Sequence, residues 1–173
     1  MNFMDVSGIM LPDLDCIGTM EWKQIAAYPN YYVSNYGHIW NHKLQHLLPG
    51  WIRGEYKSVS LMKDGKPKTF TIHSLVARAF IPNPENKPLL DHIHGKLDNS
   101  VSNLRWATHS ENSYNMGKPK SNKTGFKGVS LHKSGKYIVH CNKKHIGTYK
   151  TAEEGYAAYC KVAMELHGEF FHP

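Results

Sequence analysis

The chain opens its readable pattern with aromatic and aliphatic residues broken by turn formers. Tyr28, Tyr32, Val33, Ile39 and Trp40 are punctuated by Pro29-Asn30, Asn35 and Gly37, which predicts short strands joined by tight turns. Two further strands are expected over Tyr56 to Met62 and Lys68 to Ile72, connected at Lys63-Asp64-Gly65, with Ser74 to Phe80 as a short helix behind the sheet. Pro82, Pro84 and Pro88 then force an extended connection, because proline cannot donate to a helix or an inner ladder.

A new pattern begins near Leu89. Leu89-Leu90-Asp91-His92 reads as a strand, a polar loop runs to Asn103, and Leu104-Arg105-Trp106-Ala107 reads as a second strand. Thr108 followed by Glu111 is a capping box, so a helix starts there and carries Asn112 and Asn115 three residues apart on one face. Residues 117–124, rich in Gly, Lys, Pro, Ser and Asn, read as a linker.

Beyond the linker the period shortens to two. Val129 and Leu131 alternate with Ser130 and His132, and Tyr137, Val139 and Cys141 alternate with Ile138, His140 and Asn142, giving one apolar and one mostly polar face. Ser134-Gly135 supplies a turn, Ile146 to Tyr149 a third strand, and Thr151 with Glu154 a second capping box. The helix after it repeats Ala152, Tyr156, Tyr159, Ala163 and Leu166 and stops at Gly168, a stripe that packing against the three strands uses up. The fold class expected is α+β: a small N-terminal β-rich module, a central strand-loop-strand-helix unit, and a C-terminal three-stranded antiparallel sheet packed on one helix.

Composition narrows the function classes. At 173 residues with 40% hydrophobic and 20% charged residues, the chain is too apolar for disorder and has no run long enough for a spanning helix. Residues 1–19 are acidic, without Lys or Arg, and predict a leader rather than a secretory signal, with Met20 as an alternative start. Cys16, Cys141 and Cys160 form no C-x-x-C pair, which fits a reducing interior and a protein that is not secreted.

The formal charge of +7 points to a polyanion. From Met116 to Lys150 there are nine lysines and no Asp or Glu, a run whose reading as phosphate contact outweighs that of a merely solvated face.

Candidate chemistry sits in the middle. Asp91-His92, Asn103 and Asn112 have a spacing that can bring a carboxylate, an imidazole and amide oxygens together. Phosphodiester hydrolysis needs an activated water, a cation beside the phosphate and the leaving oxygen, and in-line positioning. A neutral imidazole accepts a proton near pH 7, and Asp and Asn oxygens are hard ligands suited to Mg²⁺ or Mn²⁺.

His73-Ser-Leu-Val-Ala-Arg-Ala-Phe80, Asp91-His92, Asn103-Leu-Arg-Trp-Ala-Thr108 and Glu111-Asn112 together resemble the HNH endonucleases, in particular phage homing endonucleases. Tyr28-Pro-Asn-Tyr-Tyr-Val-Ser-Asn-Tyr-Gly37, preceded by Glu21-Trp22-Lys23, is similar to the nuclease-associated modular element that often precedes that domain. Gly125-Phe-Lys-Gly-Val129, Gly147-Thr-Tyr-Lys-Thr-Ala-Glu-Glu154 and Glu165-Leu-His-Gly-Glu169 resemble the Apetala-type DNA-binding domain.

The resemblance implies a ββα-metal nuclease fold and a division into a leader (1–19), the N-terminal element (20–72), the nuclease domain (73–116), the linker (117–124) and the Apetala-type domain (125–173). It implies His92 as general base, Asn103 as the residue that holds the loop and orients the base, and Asp91 and Asn112 as ligands of one divalent ion per active site. Other members carry His where Asn112 stands, and His94 and Lys96 replace the loop's usual Asp or Asn. Arg105 and Asn115 are left between phosphate contact, brace and packing. His73 reads as a structural histidine, and His167 is assigned no role.

For the C-terminal sheet the resemblance implies entry into the major groove. Lys127, Lys133, Lys136, Lys143 and Lys144 are expected on phosphates, and Ser130, His132, His140 and Asn142 on base edges. The expected function is a metal-dependent, site-specific nicking endonuclease acting on double-stranded DNA. It is expected as a monomer, with a dimer as alternative, inside a phage-infected cell and away from membranes. The alternative is a sequence-specific DNA-binding regulator with a vestigial nuclease fold. An RNA partner is disfavoured because an A-form major groove does not admit a sheet.

Overall fold

The computed structural model describes residues 3–4, 10–11, 19–119 and 121–171. Strands β1 (Phe3–Met4) and β2 (Met10–Leu11) pair antiparallel, and the rest of the expected leader up to residue 18 lies outside the described residues. The chain divides into two compact units, Met1–Ala107 and Thr108–Pro173.

In the first unit, β3 (Trp22–Ile25), β4 (Tyr28–Ser34), β5 (Ile39–Asn41) and β6 (His46–Leu48) form one sheet in that order. β7 (Trp51–Arg53), β8 (Tyr56–Lys63) and β9 (Lys66–Thr71) form a second. The aromatic run of β4 uses both faces of its sheet. Tyr31 and Val33 enter the main core, while Tyr32 packs with Trp40, Trp22 and Leu47 on the other side. Asp64 and Gly65 both adopt positive φ, so the β8–β9 hairpin turns where the sequence predicted it.

Helix α1 (Ile72–Phe80) follows, then β10 (Leu89–His92) paired antiparallel with β11 (Leu104–Ala107). Leu75 and Val76 of α1 and Leu104 of β11 share one core with Ile25, Val33, Ile39, Val59 and Leu61. The packing therefore crosses the expected boundary after residue 72, as it must when each piece alone is too small to bury a sizeable core.

In the second unit, α2 (His109–Asn115) carries both hydrogen bonds of the capping box at Thr108 and Glu111. β12 (Val129–Leu131), β13 (Tyr137–Cys141) and β14 (Lys144–Tyr149) form an antiparallel sheet, and α3 (Ala152–His167) packs on it through Ala152, Tyr159 and Ala163. Gly128 explains its motif: at φ +75, an added Cβ would come within 2.3 Å of the Tyr159 ring.

Two stripe residues differ from expectation. Leu131 is exposed because β12 ends there, next to the turn in which His132 bonds Lys136. Leu166 is exposed because the buried stripe steps by four from Ala163 to His167. The end of the stretch read as a linker is bonded onward: Asn122 accepts from the Thr124 and Gly125 amides and donates to Phe126 O, and Thr124 Oγ1 donates to Val129 O of β12. Among the described residues no helix is long and apolar enough to cross a membrane.

Candidate functional site

β10 and β11 set the first part of the site by register. Asp91 lies opposite Arg105, and the guanidinium donates from Nε at 3.0 Å and approaches from Nη2 at 2.9 Å, both to Asp91 Oδ2. Both side chains are almost fully buried, so Arg105 braces Asp91 rather than extending to a phosphate.

His92 is buried one residue on. The Tyr56 ring of β8 lies nearly parallel to it at 5.8 Å, and His73 of α1 meets it edge-on at 4.8 Å. Tyr56 and His73 also touch, at 4.8 Å, so three rings from three elements enclose a small cluster. Burial pushes the His92 imidazole below its ordinary pKa, opposed by a hydrogen bond with Asn99 and the charges of Asp91 and Asp98. His73 is pushed down to about 4 by burial and then by His92. Both rings are accordingly neutral near pH 7, the form that can accept a proton.

Asn103 does its work through the loop between the strands. Its Oδ1 accepts from the His94 amide at 2.8 Å, its Nδ2 donates to Gly95 O at 3.1 Å and Asp98 O at 2.8 Å, and its carbonyl accepts from Ile93 N at 2.9 Å. Asp98 in turn accepts from the Ser100 amide, which holds its carboxyl below the usual range. His94 and Lys96, the departures in this loop, are exposed, and Lys96 reaches Glu55 at 2.5 Å and lies over the Tyr56 ring. Tyr56 and Asn99 had no signal in the sequence beyond strand and loop character. His73 was visible but read as structural, and its ring contact with His92 is what places it in the cluster.

Asn112 sits half-buried on α2, in the second unit. Asn115, one turn on, is also half-buried.

The sheet of that unit presents Ser130, His132, Lys133, Lys136, His140, Lys143 and Lys144 exposed. The His140 and His145 rings pair across β13 and β14 at 5.4 Å, and His132 bonds Ser134. Two of the expected DNA contacts point elsewhere. Asn142 takes positive φ in the two-residue turn with Lys143, and its amide donates to Tyr114 Oη at 3.3 Å. The Lys127 ammonium turns inward and donates to Tyr114 O at 2.5 Å and Met116 O at 2.6 Å, and burial lowers its pKa.

Asp91 and Asn112 offer hard oxygens, and among the described residues no three His, Cys, Asp or Glu side chains gather as a closed cage. Carboxylate and amide oxygens are each hard donors, of the kind that suit divalent ions keeping several waters.

A model of the NUMOD4 motif matches residues 20–71. DNA endonuclease I-HmuI of Bacillus phage SP01 is 41% identical over 103 residues, covering 56% of this chain and 58% of that protein. The solved structure titled as DNA binding and cleavage by the HNH homing endonuclease I-HmuI aligns with a TM-score of 0.53 at 39% identity, covering 56% of this chain and 57% of that one. Protein 3.8 of Escherichia phage T7 is 37% identical over 86 residues, 47% of this chain and 71% of that protein. An uncharacterized HNH endonuclease of Acanthamoeba polyphaga mimivirus, L245, is 43% identical over 93 residues, 53% of this chain and 28% of that protein. The chain thus spans less than two thirds of the length of the SP01 phage and mimivirus proteins.

Proposed function

Because the chain belongs to the HNH endonuclease family, we propose that it is a metal-dependent, homing-type endonuclease that nicks duplex DNA at a specific site. The observation that carries the reading is the buried constellation in which His92 lies against Tyr56 and His73 while its neighbour Asp91 is clamped by Arg105.

His92, neutral and held by two rings, takes the proton from the attacking water. The new bond forms between the water oxygen and phosphorus, the bond to the 3′ oxygen breaks, and that oxygen leaves with a proton from solvent. Asn103 keeps the loop after His92 in one conformation and so fixes the direction of the imidazole. Asp91 of the first unit and Asn112 of the second are the residues that would hold one Mg²⁺ or Mn²⁺ per site. When bound, the ion neutralises charge on the phosphate and on the leaving oxygen. Arg105 holds the Asp91 carboxylate in place through Oδ2, a positioning task.

Lys133, Lys136, Lys143 and Lys144 neutralise phosphates, and Ser130, His132 and His140 face base edges in the manner of an Apetala-type sheet. With one site per chain, a monomer inside a phage-infected cell cuts one strand.

Supercoiled DNA containing the target, incubated with Mg²⁺ or Mn²⁺, is expected to give nicked circles. The product should vanish with a chelator and with His92→Ala. Salt-sensitive binding without any nicking by the wild type would replace this reading with a DNA-binding regulator on a vestigial nuclease fold.

A further inference from the structure

Helix α2 carries Asn112, yet it is poorly equipped to hold itself in place. It has seven residues, none of them buried, and no basic residue in its last turn. A helix of that length is marginal in water, and its last carbonyls need partners. The capping box secures the N-terminal end only.

The other end is held from the C-terminal module. Lys127 donates to the carbonyls of Tyr114 and Met116 at 2.5 and 2.6 Å, placing a positive charge where the helix dipole is negative. The Tyr114 ring lies flat on His167, the last residue of α3, with centroids 3.8 Å apart and planes 3° from parallel. Tyr114 Oη accepts from Asn142 in the β13–β14 turn. His167 is itself buried and seated against Cys141 Sγ at 3.7 Å. Three elements of the module, the Gly125–Val129 segment, the β13–β14 turn and the end of α3, thus converge on one turn of α2. Just before the Gly125–Val129 segment, Asn122 and Thr124 are tied to Phe126 O and Val129 O.

We propose that the C-terminal module is the brace of the nuclease helix as well as a DNA grip, with Lys127, Tyr114 and His167 as positioning residues that fix α2 and thereby Asn112. The proposal rests on the reading of Asn112 as a metal ligand. It removes Lys127 from the phosphate-binding set, and it makes the module necessary for cleavage even where DNA is already bound.

The test uses the full chain with Lys127→Met, which keeps the stem and removes the donor. Hydrogen exchange of the α2 amides is expected to rise about tenfold or more while β13 and α3 keep their protection. The maximal nicking rate at saturating DNA is expected to fall about tenfold, the Mn²⁺ concentration for half-maximal rate to rise, and DNA affinity to stay within about twofold. Unchanged α2 exchange overturns the brace, as does an unchanged maximal rate with weakened DNA binding. Should Lys127→Met loosen the whole module, Tyr114→Ala, which removes only the stack and the hydroxyl, is read by the same measurements and the same criteria. A wild-type chain that does not nick refutes the endonuclease reading, and the exchange data then decide the brace by themselves.

Discussion

Arg105 directs two nitrogens at a single oxygen of Asp91, 3.0 and 2.9 Å away, from the position directly opposite on the neighbouring strand. Both partners are almost fully out of solvent. Removing one member of such a pair leaves a buried charge without compensation, at a cost of about 3–5 kcal/mol. Arg105→Met is therefore expected to lower the urea unfolding free energy by that order. Arg105→Lys, which restores charge but not the fork, should recover only part of it. A loss below about 1 kcal/mol in Arg105→Met would show that the pair contributes no more than a surface ion pair.

The histidine pair gives stability a pH dependence of definite sign. An unfolded histidine titrates near 6.5, whereas His73 in the fold is pushed down to about 4. Between these values the unfolded chain binds more protons, so stability falls as pH drops from about 6.5 toward 4, and above 6.5 this contribution is flat. His92, also lowered by burial, adds in the same direction. His73→Phe keeps a ring against Tyr56 and His92 but cannot titrate. Its unfolding free energy should decline less between pH 7.5 and 4.5 than that of wild type, and an equal decline in both proteins would refute the assignment to His73.

Asn103 makes three side-chain hydrogen bonds to the backbone of residues 94–98 from a buried position. Asn103→Asp keeps the shape and the acceptor toward the His94 amide but sets an oxygen against the Gly95 and Asp98 carbonyls. At about 1 kcal/mol per bond plus the burden of unpaired buried groups, a loss of about 3 kcal/mol is expected. Nicking should fall by about a hundredfold or more if the loop aims His92. Wild-type nicking by a folded Asn103→Asp protein would separate the loop from the base.

What could be read in advance from the chain, and what could not, divides along one physical line. Features written in neighbouring residues are legible: the Asp64-Gly65 turn and the Thr108–Glu111 capping box, whereas the role of Asn103 is implied only by the family resemblance. Features set by a distant partner are not legible. Lys127 looks like any lysine in a basic run until the carbonyls of Tyr114 and Met116 arrive beside it. Asn142 reads as the next polar position of β13 until the chain turns there. His167 occupies the stripe in place of Leu166 because the stripe follows the four-residue step, which a stripe of alternating threes and fours does not distinguish. Tyr56 joins the site only through tertiary packing against His92.

The inward turn of Lys127 separates two kinds of lysine that the sequence presents alike, and salt dependence can tell them apart. Each phosphate neutralised on duplex DNA contributes about 0.9 to the slope of log affinity against log salt. Lys133 and Lys136 are exposed at the β12–β13 turn, and Lys143 and Lys144 at the β13–β14 turn, so each is free to reach a phosphate. Replacing Lys133 and Lys136 together by Ala should reduce the slope by about 1.8, and replacing Lys143 and Lys144 should do the same. Lys127→Met should leave the slope of wild type, because its ammonium already serves two backbone carbonyls. Titrations of labelled duplex at several salt concentrations decide the matter. A slope lowered by about 0.9 in Lys127→Met would return that residue to the DNA face, and undiminished slopes in both double variants would mean that the sheet is not where the phosphates lie.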